Sequence, residues 1–343
     1  MLRNLIISRT DSLGDVILTL PAAGLMKSLF PELKIYFIGR SYTQPVIEAC
    51  EHVNEFINWD EVSCYSEHQQ VAFLKSLKAD AIVHVFPDFQ IAKIAYKSKI
   101  PIRIGTSHRW YHWLYCNKNV ALGRKNSDLH ETQLNLKLFT SLGAQKLYLP
   151  EDIEGFYGMT RLAQVNDKLK ALIDPSRFNL ILHPKSKGSA REWGLSNYGE
   201  LIRLLPKDKF KIFISGTNED RKFLDTLLNE HEANITDLTG QMTLSSFIGF
   251  INEVDGMVAA STGPLHIASA LGKVAIGLFS PMRPIHPGRW SPVGTKAEFL
   301  VLDKKCNKCR HSNECECIQS IQPDEVVQKL NKYLVTSKPI ILQ

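Results

Sequence analysis

Short apolar runs alternating with helical patterns constrain this chain more than any other feature. Leu5-Ile6-Ile7, Lys34–Ile38, Ala81–Val85 and Ile102–Ile104 read as strands with helical periodicity between them. Phe178–Leu182, Phe210–Ile214, Met257–Ala260 and Val274–Phe279 extend the pattern, interleaved with helices that open at Ser196, near Asn218, at Leu244 and after Thr262. Strands that alternate with helices run parallel and are covered on both faces, so the pattern predicts parallel α/β sheets. Tyr148–Arg177 interrupts it with Pro150, Gly155, Gly158 and Pro175 among charged residues, the composition of a domain boundary. Two similar α/β halves with a cleft between them are expected.

The chain has 343 residues, 44% of them apolar and 22% charged, which suits a globular protein of two domains. No apolar run reaches the roughly 18 residues of a membrane-spanning helix, and the start lacks the pattern of a signal peptide, so the cytoplasm is the expected compartment. The formal charge of +6 is unevenly placed. From Val71 to His130 ten lysines and arginines face three aspartates, an excess of seven that is larger than that of the whole chain. Such a face attracts nucleic acid, anionic lipid or an acidic substrate, or is simply solvated. Within it, Arg109-Trp110-Tyr111-His112-Trp113 suits either a membrane interface or a buried aromatic cluster.

Three segments carry chemistry. Ser12-Leu13-Gly14-Asp15 lies where the first strand meets a helix that is expected to run to Pro21. Ligands of open α/β sheets collect at such carboxyl ends, and Asp15 is placed there to take a proton beside a glycine that permits close approach. An Asp in a first helical turn is equally explained by the helix dipole. The segment lacks the G-x-G-x-x-G of dinucleotide folds. The second segment, His183 to Trp193, leaves a buried-looking strand with Lys185, Ser186, Lys187, Gly188 and Arg191, all suited to phosphate oxygens, although exposed connectors have similar composition. The third, Ser261-Thr262-Gly263-Pro264-Leu265-His266, reads as a capped helix start. It would aim N–H groups and a positive helix end at an anion, with His266 on the same side as a donor or a structural residue.

In this order and spacing, these segments resemble the heptosyltransferases of glycosyltransferase family 9, enzymes of bacterial lipopolysaccharide assembly. The matching pieces are Ser12-Leu13-Gly14-Asp15-Val16 through Leu20-Pro21, Lys-Gly-Ser-Ala-Arg-Glu-Trp ending at Trp193, Gly216-Thr217-Asn218-Glu219-Asp220-Arg221, Leu238-Thr239-Gly240-Gln241-Met242-Thr243-Leu244, and Ser261 to His266. The resemblance implies a GT-B fold of two Rossmann-like α/β/α domains facing each other across a cleft. Residues 1–155 would hold the acceptor and 175–343 the nucleotide sugar, with the final helix packing back on the first domain.

By the same resemblance Asp15 is the general base of an inverting transfer, and Ser12, Gly14 and Arg109 face the acceptor. Lys185, Ser186, Lys187, Arg191, Glu219, Met242, Ser261, Thr262, Gly263 and His266 face the donor. The implied partners are an ADP-heptose-like nucleotide-diphosphate sugar and an anionic, lipid-linked oligosaccharide, with peripheral contact at the inner membrane surface and no nucleic acid. Members that use ADP-heptose commonly carry a carboxylate where this chain has Ser261, a departure that leaves the donor sugar open between heptose and a related sugar. The same fold also accommodates a nucleotide-sugar epimerase or a non-catalytic binding protein.

No cofactor is expected, because basic residues and a helix end can carry a diphosphate's charge. Cys306, Cys309, Cys315 and Cys317 form C-x₂-C-x₅-C-x-C, which reads either as a structural zinc site or as reduced or partly disulfide-bonded structural cysteines.

Overall fold

The computed structural model describes residues 2–124, 127–145, 147–302, 306 and 315–334. It divides into two compact units, Met1–Arg161 and Leu162–Gln343. Among the described residues each unit is built on a six-stranded parallel sheet. The first contains β1 (Asn4–Ser8), β2 (Lys34–Gly39), β3 (Glu55–Asn58), β4 (Ala81–His84), β5 (Ile102–Thr106) and β6 (Lys118–Val120), in the order β3-β2-β1-β4-β5-β6. The second contains β7 (Phe178–His183), β8 (Phe210–Ile214), β9 (Ile235–Asp237), β10 (Gly256–Ala260), β11 (Val274–Phe279) and β12 (Ala297–Val301), in the order β12-β11-β10-β7-β8-β9.

Each sheet grows outward for three strands and then restarts on the other side of its first strand. The reversal falls between β1 and β4 in one unit and between β7 and β10 in the other. At such a reversal the connecting segments leave in opposite directions and open a crevice at the carboxyl ends of the strands, where ligands of this architecture bind. Central strands are buried on both faces: Leu5, Ile6 and Ile7 in β1, and Met257, Val258 and Ala259 in β10, have no exposed surface. The four outer strands β3, β6, β9 and β12 are short and partly exposed, and they are absent from the sequence expectation.

The helix expected from Ser12 to Pro21 is two helices, Leu13–Ile17 and Leu20–Leu29. Proline has no N–H with which to continue a helix, so Pro21 occupies the first turn of a new one. The Thr19 hydroxyl at the break donates to the Asp15 carbonyl at 2.8 Å. Close packing follows at Gly24, where a Cβ would stand 2.1 Å from the Phe156 carbonyl oxygen.

In the second unit the Pro323–Leu334 helix lies against the Leu195–Leu204 helix and against β11 and β12. Trp193, fully buried, joins these parts: its indole N–H donates to the Ile321 carbonyl at 2.9 Å and its ring meets Tyr198 edge-on. Replacing it leaves both a void and an unpaired carbonyl. A Trp193→Ala variant should lose roughly 3–5 kcal/mol of stability in urea unfolding, and Trp193→Phe, which keeps most of the volume, should lose less.

Candidate functional site

In the first unit the carboxyl end of β1 presents a buried cation. Arg9 follows Ser8 directly, has 1% of its side chain exposed, and is held in extended pairing by its N–H to the Ile38 carbonyl at 3.0 Å. A guanidinium in that position needs carboxylates, because an unpaired buried charge is strongly destabilising. Asp11 supplies two oxygens, to Nε at 2.6 Å and to Nη2 at 3.0 Å. Asp15 Oδ1 takes a further bond from Nη2. The other oxygen of Asp15 accepts from the Ser12 hydroxyl at 2.5 Å. Ser12 occupies the N-cap of the Leu13–Ile17 helix, yet its hydroxyl serves Asp15 instead of a backbone N–H.

The far side of Arg9 is closed by residues more than a hundred positions away. Nη1 approaches Glu131 Oε1 at 3.4 Å and donates to Asn135 Oδ1 at 3.1 Å. Both come from the Glu131–Lys137 helix and are fully buried. Arg124 adds a second guanidinium, to Glu131 at 2.5 Å and Asn135 at 3.1 Å. Asn135 completes the connection by donating to the Leu18 carbonyl and to Thr19 Oγ1, at the break between the two helices.

Burial works against the charge of Arg9, and the fields of Asp15, Asp11 and Glu131 outweigh it, so the guanidinium is held above its ordinary pKa. Asp11 is pushed up to about 6, by burial first and by the Asp15 carboxylate, against the pull of Arg9. Asp15 keeps 17% of its side chain exposed. Fixed on one side and open on the other, it can receive a proton from a molecule that enters the crevice.

In the second unit the loops after β7, β8, β9 and β10 leave the same edge of a parallel sheet. After β7, Lys185 Nζ meets Glu192 Oε2 at 2.5 Å, while the Ser186 N–H and hydroxyl bind Glu192 Oε1 at 3.0 and 3.2 Å. Glu192 thus closes the loop on itself. Lys187 and Gly188 turn it with φ of 49° and 81°, the left-handed region that is costly for a lysine. Lys187 Nζ lies 3.3 Å from Glu219 Oε2, in the first turn of the Asn218–Glu230 helix after β8. Glu219 is held below the usual carboxylate range by its bond from Thr217 and by Lys187. A cavity of about 430 Å³ is lined by Lys185, Lys187, Glu192, Glu219, Asp220 and Phe223. His183, at the end of β7, is brought down to about 4 by burial and is therefore neutral, with Nδ1 2.9 Å from the Ser215 hydroxyl.

The helix after β10 starts at Gly263 with Pro264 in its first turn, as expected. Thr262 takes the N-cap backbone conformation, but its hydroxyl makes no capping bond and is buried without a partner. Side-chain capping therefore does not explain the Ser261-Thr262 pair, and the first-turn N–H groups are left to another acceptor. Ser261 is partly exposed, and His266 is buried one turn into the helix. Met242 follows the Gly240 turn after β9 and Arg191 lies in the β7 loop, both half-buried. In the first unit Gly14 is partly exposed one residue before Asp15. Arg109 stands apart from the Asp15 cluster, exposed at the start of the Trp110–Tyr115 helix beyond β5.

Of the cysteine cluster, Cys309 lies outside the described residues. Cys315 and Cys317 are buried in the second unit's core, where the Cys315 thiol meets the Ser280 hydroxyl at 3.3 Å, and Cys306 packs against that core. Among the described residues no three His, Cys, Asp or Glu side chains are grouped to hold a metal.

Arg9, Asp11, Glu131 and Asn135 were not singled out from the sequence. The available signal was Arg9 itself, a charged residue that prolongs the strand Asn4–Ser8 into the interior.

Residues 71–318 match the family described as glycosyltransferase family 9 (heptosyltransferase). A Haemophilus influenzae protein provisionally described as a glycosyltransferase is 26% identical over 97% of both chains. The lipopolysaccharide core heptosyltransferase OpsX of the same organism is 20% identical over 82% of this chain and 80% of its own. Among solved structures, Escherichia coli ADP-heptose lipopolysaccharide heptosyltransferase II superposes with a TM-score of 0.76 at 19% identity, covering 98% of this chain and all of that one. Escherichia coli heptosyltransferase WaaC with ADP-2-deoxy-2-fluoro heptose gives 0.71 at 16% identity, over 96% and 99%. The two Rossmann-like units are thus those of a GT-B fold.

The buried cluster yields a prediction independent of chemistry. Arg9→Met takes the guanidinium from Asp11 and Asp15 and leaves Glu131 with Arg124, and urea unfolding should show a loss of roughly 3–5 kcal/mol. Arg9→Lys keeps the charge without the fork and should recover part of it.

Proposed function

Since the chain belongs to glycosyltransferase family 9 (heptosyltransferase) and is a glycosyltransferase, we propose that it moves heptose or a related sugar from an ADP-heptose-like donor to an anionic, lipopolysaccharide-core-like acceptor, with Asp15 as general base. The observation that carries this reading is Asp15 itself: a carboxylate anchored by Arg9 and Ser12 at the reversal point of its sheet, with an open side.

The acceptor hydroxyl gives its proton to Asp15 as its oxygen attacks the anomeric carbon, and the nucleoside diphosphate leaves from the opposite face, inverting the configuration. Ser12 and Gly14 frame the attacking hydroxyl, and Arg109 offers a cation to more distant anionic groups of the acceptor. Charge grows on the diphosphate in the transition state. Stabilisation that appears where charge develops accelerates the reaction more than tight ground-state binding does.

That role falls to Lys185, Lys187 and Arg191, the Ser186 hydroxyl, the helix start at Thr262 and Gly263, and His266. The lysines are held at rest by Glu192 and Glu219, so a diphosphate would exchange one anionic partner for another. Glu219 and Met242 are assigned to the nucleoside. WaaC, of the same fold, was solved with an ADP-heptose analogue, which supports an adenine nucleotide. Ser261 offers a hydroxyl where ADP-heptose users commonly carry a carboxylate, so the sugar is tested against a panel.

A positioned base contributes about 10²- to 10⁴-fold, so Asp15→Ala should lower turnover by that factor without unfolding the protein, since Asp11 and Glu131 still pair with Arg9, while the lost Arg9 contact lowers the unfolding midpoint. Near-normal activity in this variant would remove Asp15 from the mechanism. The wild-type protein incubated with ADP-, GDP- and UDP-sugars should release nucleotide only when a core oligosaccharide is present. Sugar interconversion without acceptor would make it an epimerase, and saturable binding without product would make it a binding protein.

The pH dependence has a stated direction. Asp11 loses its proton as pH rises through about 6. Below that, Arg9 loses one of the two carboxylates that hold it from the β1 side, and the placement of Asp15, which depends on Arg9, loosens. The kcat/KM profile should therefore fall on the acid side of about 6, and Asp11→Asn should remove this step while lowering kcat/KM at pH 8 by roughly three- to tenfold. An unchanged step in Asp11→Asn would assign it to another group.

A further inference from the structure

The Trp110–Tyr115 helix presents its apolar side outward. Trp110, Trp113 and Leu114 are spaced i, i+3 and i+4, which puts them on one face, and they are 68%, 65% and 60% exposed. The opposite side holds the helix to the fold through His112, which is buried with Nδ1 2.9 Å from the Thr106 N–H. A core-facing helix has the reverse arrangement.

The outward face is rigid. The Trp113 indole donates to the Ser107 carbonyl at 3.0 Å, and Trp110 rests on Phe89 of the neighbouring Phe89–Lys97 helix at 6.0 Å between ring centres. Phe89 and Tyr96 of that helix are themselves exposed. A contiguous group of this size is rare on a surface that meets only water.

Its border is basic. From Asp88 to Val120 six lysines and arginines accompany a single acid, Asp88. Arg103 stacks over Tyr96 at 5.5 Å, while Lys93 and Lys97 share Glu67. Arg109 and Lys118 flank the helix at its two ends and are exposed.

Aromatic side chains suit the boundary between headgroups and acyl chains, and lysines and arginines suit the phosphates above it. We propose that this face docks on an anionic phospholipid bilayer, with Trp110, Trp113 and Leu114 entering the interface and the basic border lying on headgroup phosphates. Among the described residues no helix is long and apolar enough to cross a membrane, so the attachment is peripheral. It stands independently of the proposed chemistry, because lipid binding requires neither donor nor acceptor.

The experiment is co-sedimentation of the full chain with sucrose-loaded vesicles, either phosphatidylglycerol with phosphatidylethanolamine or phosphatidylcholine alone. Tryptophan emission is recorded in parallel. Binding should favour the anionic vesicles, shift the emission to the blue and weaken in 0.5 M salt, as expected at about a 3–8 Å screening length. Trp110→Ser combined with Trp113→Ser should lower partitioning by about tenfold or more while the thermal transition is kept. Undiminished sedimentation of that double variant would overturn the proposal. So would lipid-free self-association that the double variant abolishes, since the occupant would then be a second copy of the chain.

Discussion

The Arg9 guanidinium is the constraint on which the first unit's crevice depends. It lies at the end of a strand with no exposed face and reaches water only through its partners, so the chain beyond β1 must deliver carboxylates within a few residues. Asp11 and Asp15 do this, and in doing so they fix the start of the Leu13–Ile17 helix. Glu131 and Asn135 fix it a second time from a distant helix, and Asn135 also holds the backbone where the first helix ends. The candidate base is thereby placed by the fold and does not depend on the conformation of a free surface side chain. This is the preorganisation that proton transfer needs.

The second unit meets the opposite electrostatic requirement with the same sheet order. Its crevice edge carries lysines, an arginine and a helix start, and two of the carboxylates there, Glu192 and Glu219, are more exposed than Asp11 and Asp15. Glu192 bonds to three groups of the β7 loop and sets its shape, whereas Glu219 is exposed and pairs loosely with Lys187. A diphosphate could displace the second contact readily and the first less so. Thr262 fits the same pattern: an N-cap residue whose hydroxyl does not cap leaves the helix start available to an anion.

Much of this architecture was legible in the sequence, because the central strands are buried on both faces and read as unbroken apolar runs. The edge strands were not. Glu55-Phe56-Ile57-Asn58 and Ile235-Thr236-Asp237 have one open edge, carry polar residues accordingly, and pair on the other edge with β2 and β8. The break at Leu18-Thr19 was indicated by Pro21 but requires the Asn135 contact to be held. Glu131 was invisible for another reason: the first residue of a helix is a favourable place for any acid, so nothing local marks this one as buried against two guanidinium groups. Asp15, by contrast, was marked out by the ordered set of motifs around it, and it stands, as the sequence placed it, in the helical turn that follows β1.

The aromatic segment shows where composition stops deciding and geometry begins. Arg109 to Trp113 suited a membrane interface and a buried cluster about equally, and the fold splits it, with His112 turned inward and Trp110 and Trp113 left exposed. His112 turns inward against Gly105, where a Cβ would stand 2.4 Å from its ring nitrogen, so the helix can approach β5 only over a glycine. That approach fixes the rotation of the helix, and the rotation forces Trp110, Trp113 and Leu114 outward together. A side chain at position 105 would push the helix off the sheet and disperse that face. The exposed apolar group is thus a consequence of how tightly the opposite side is packed.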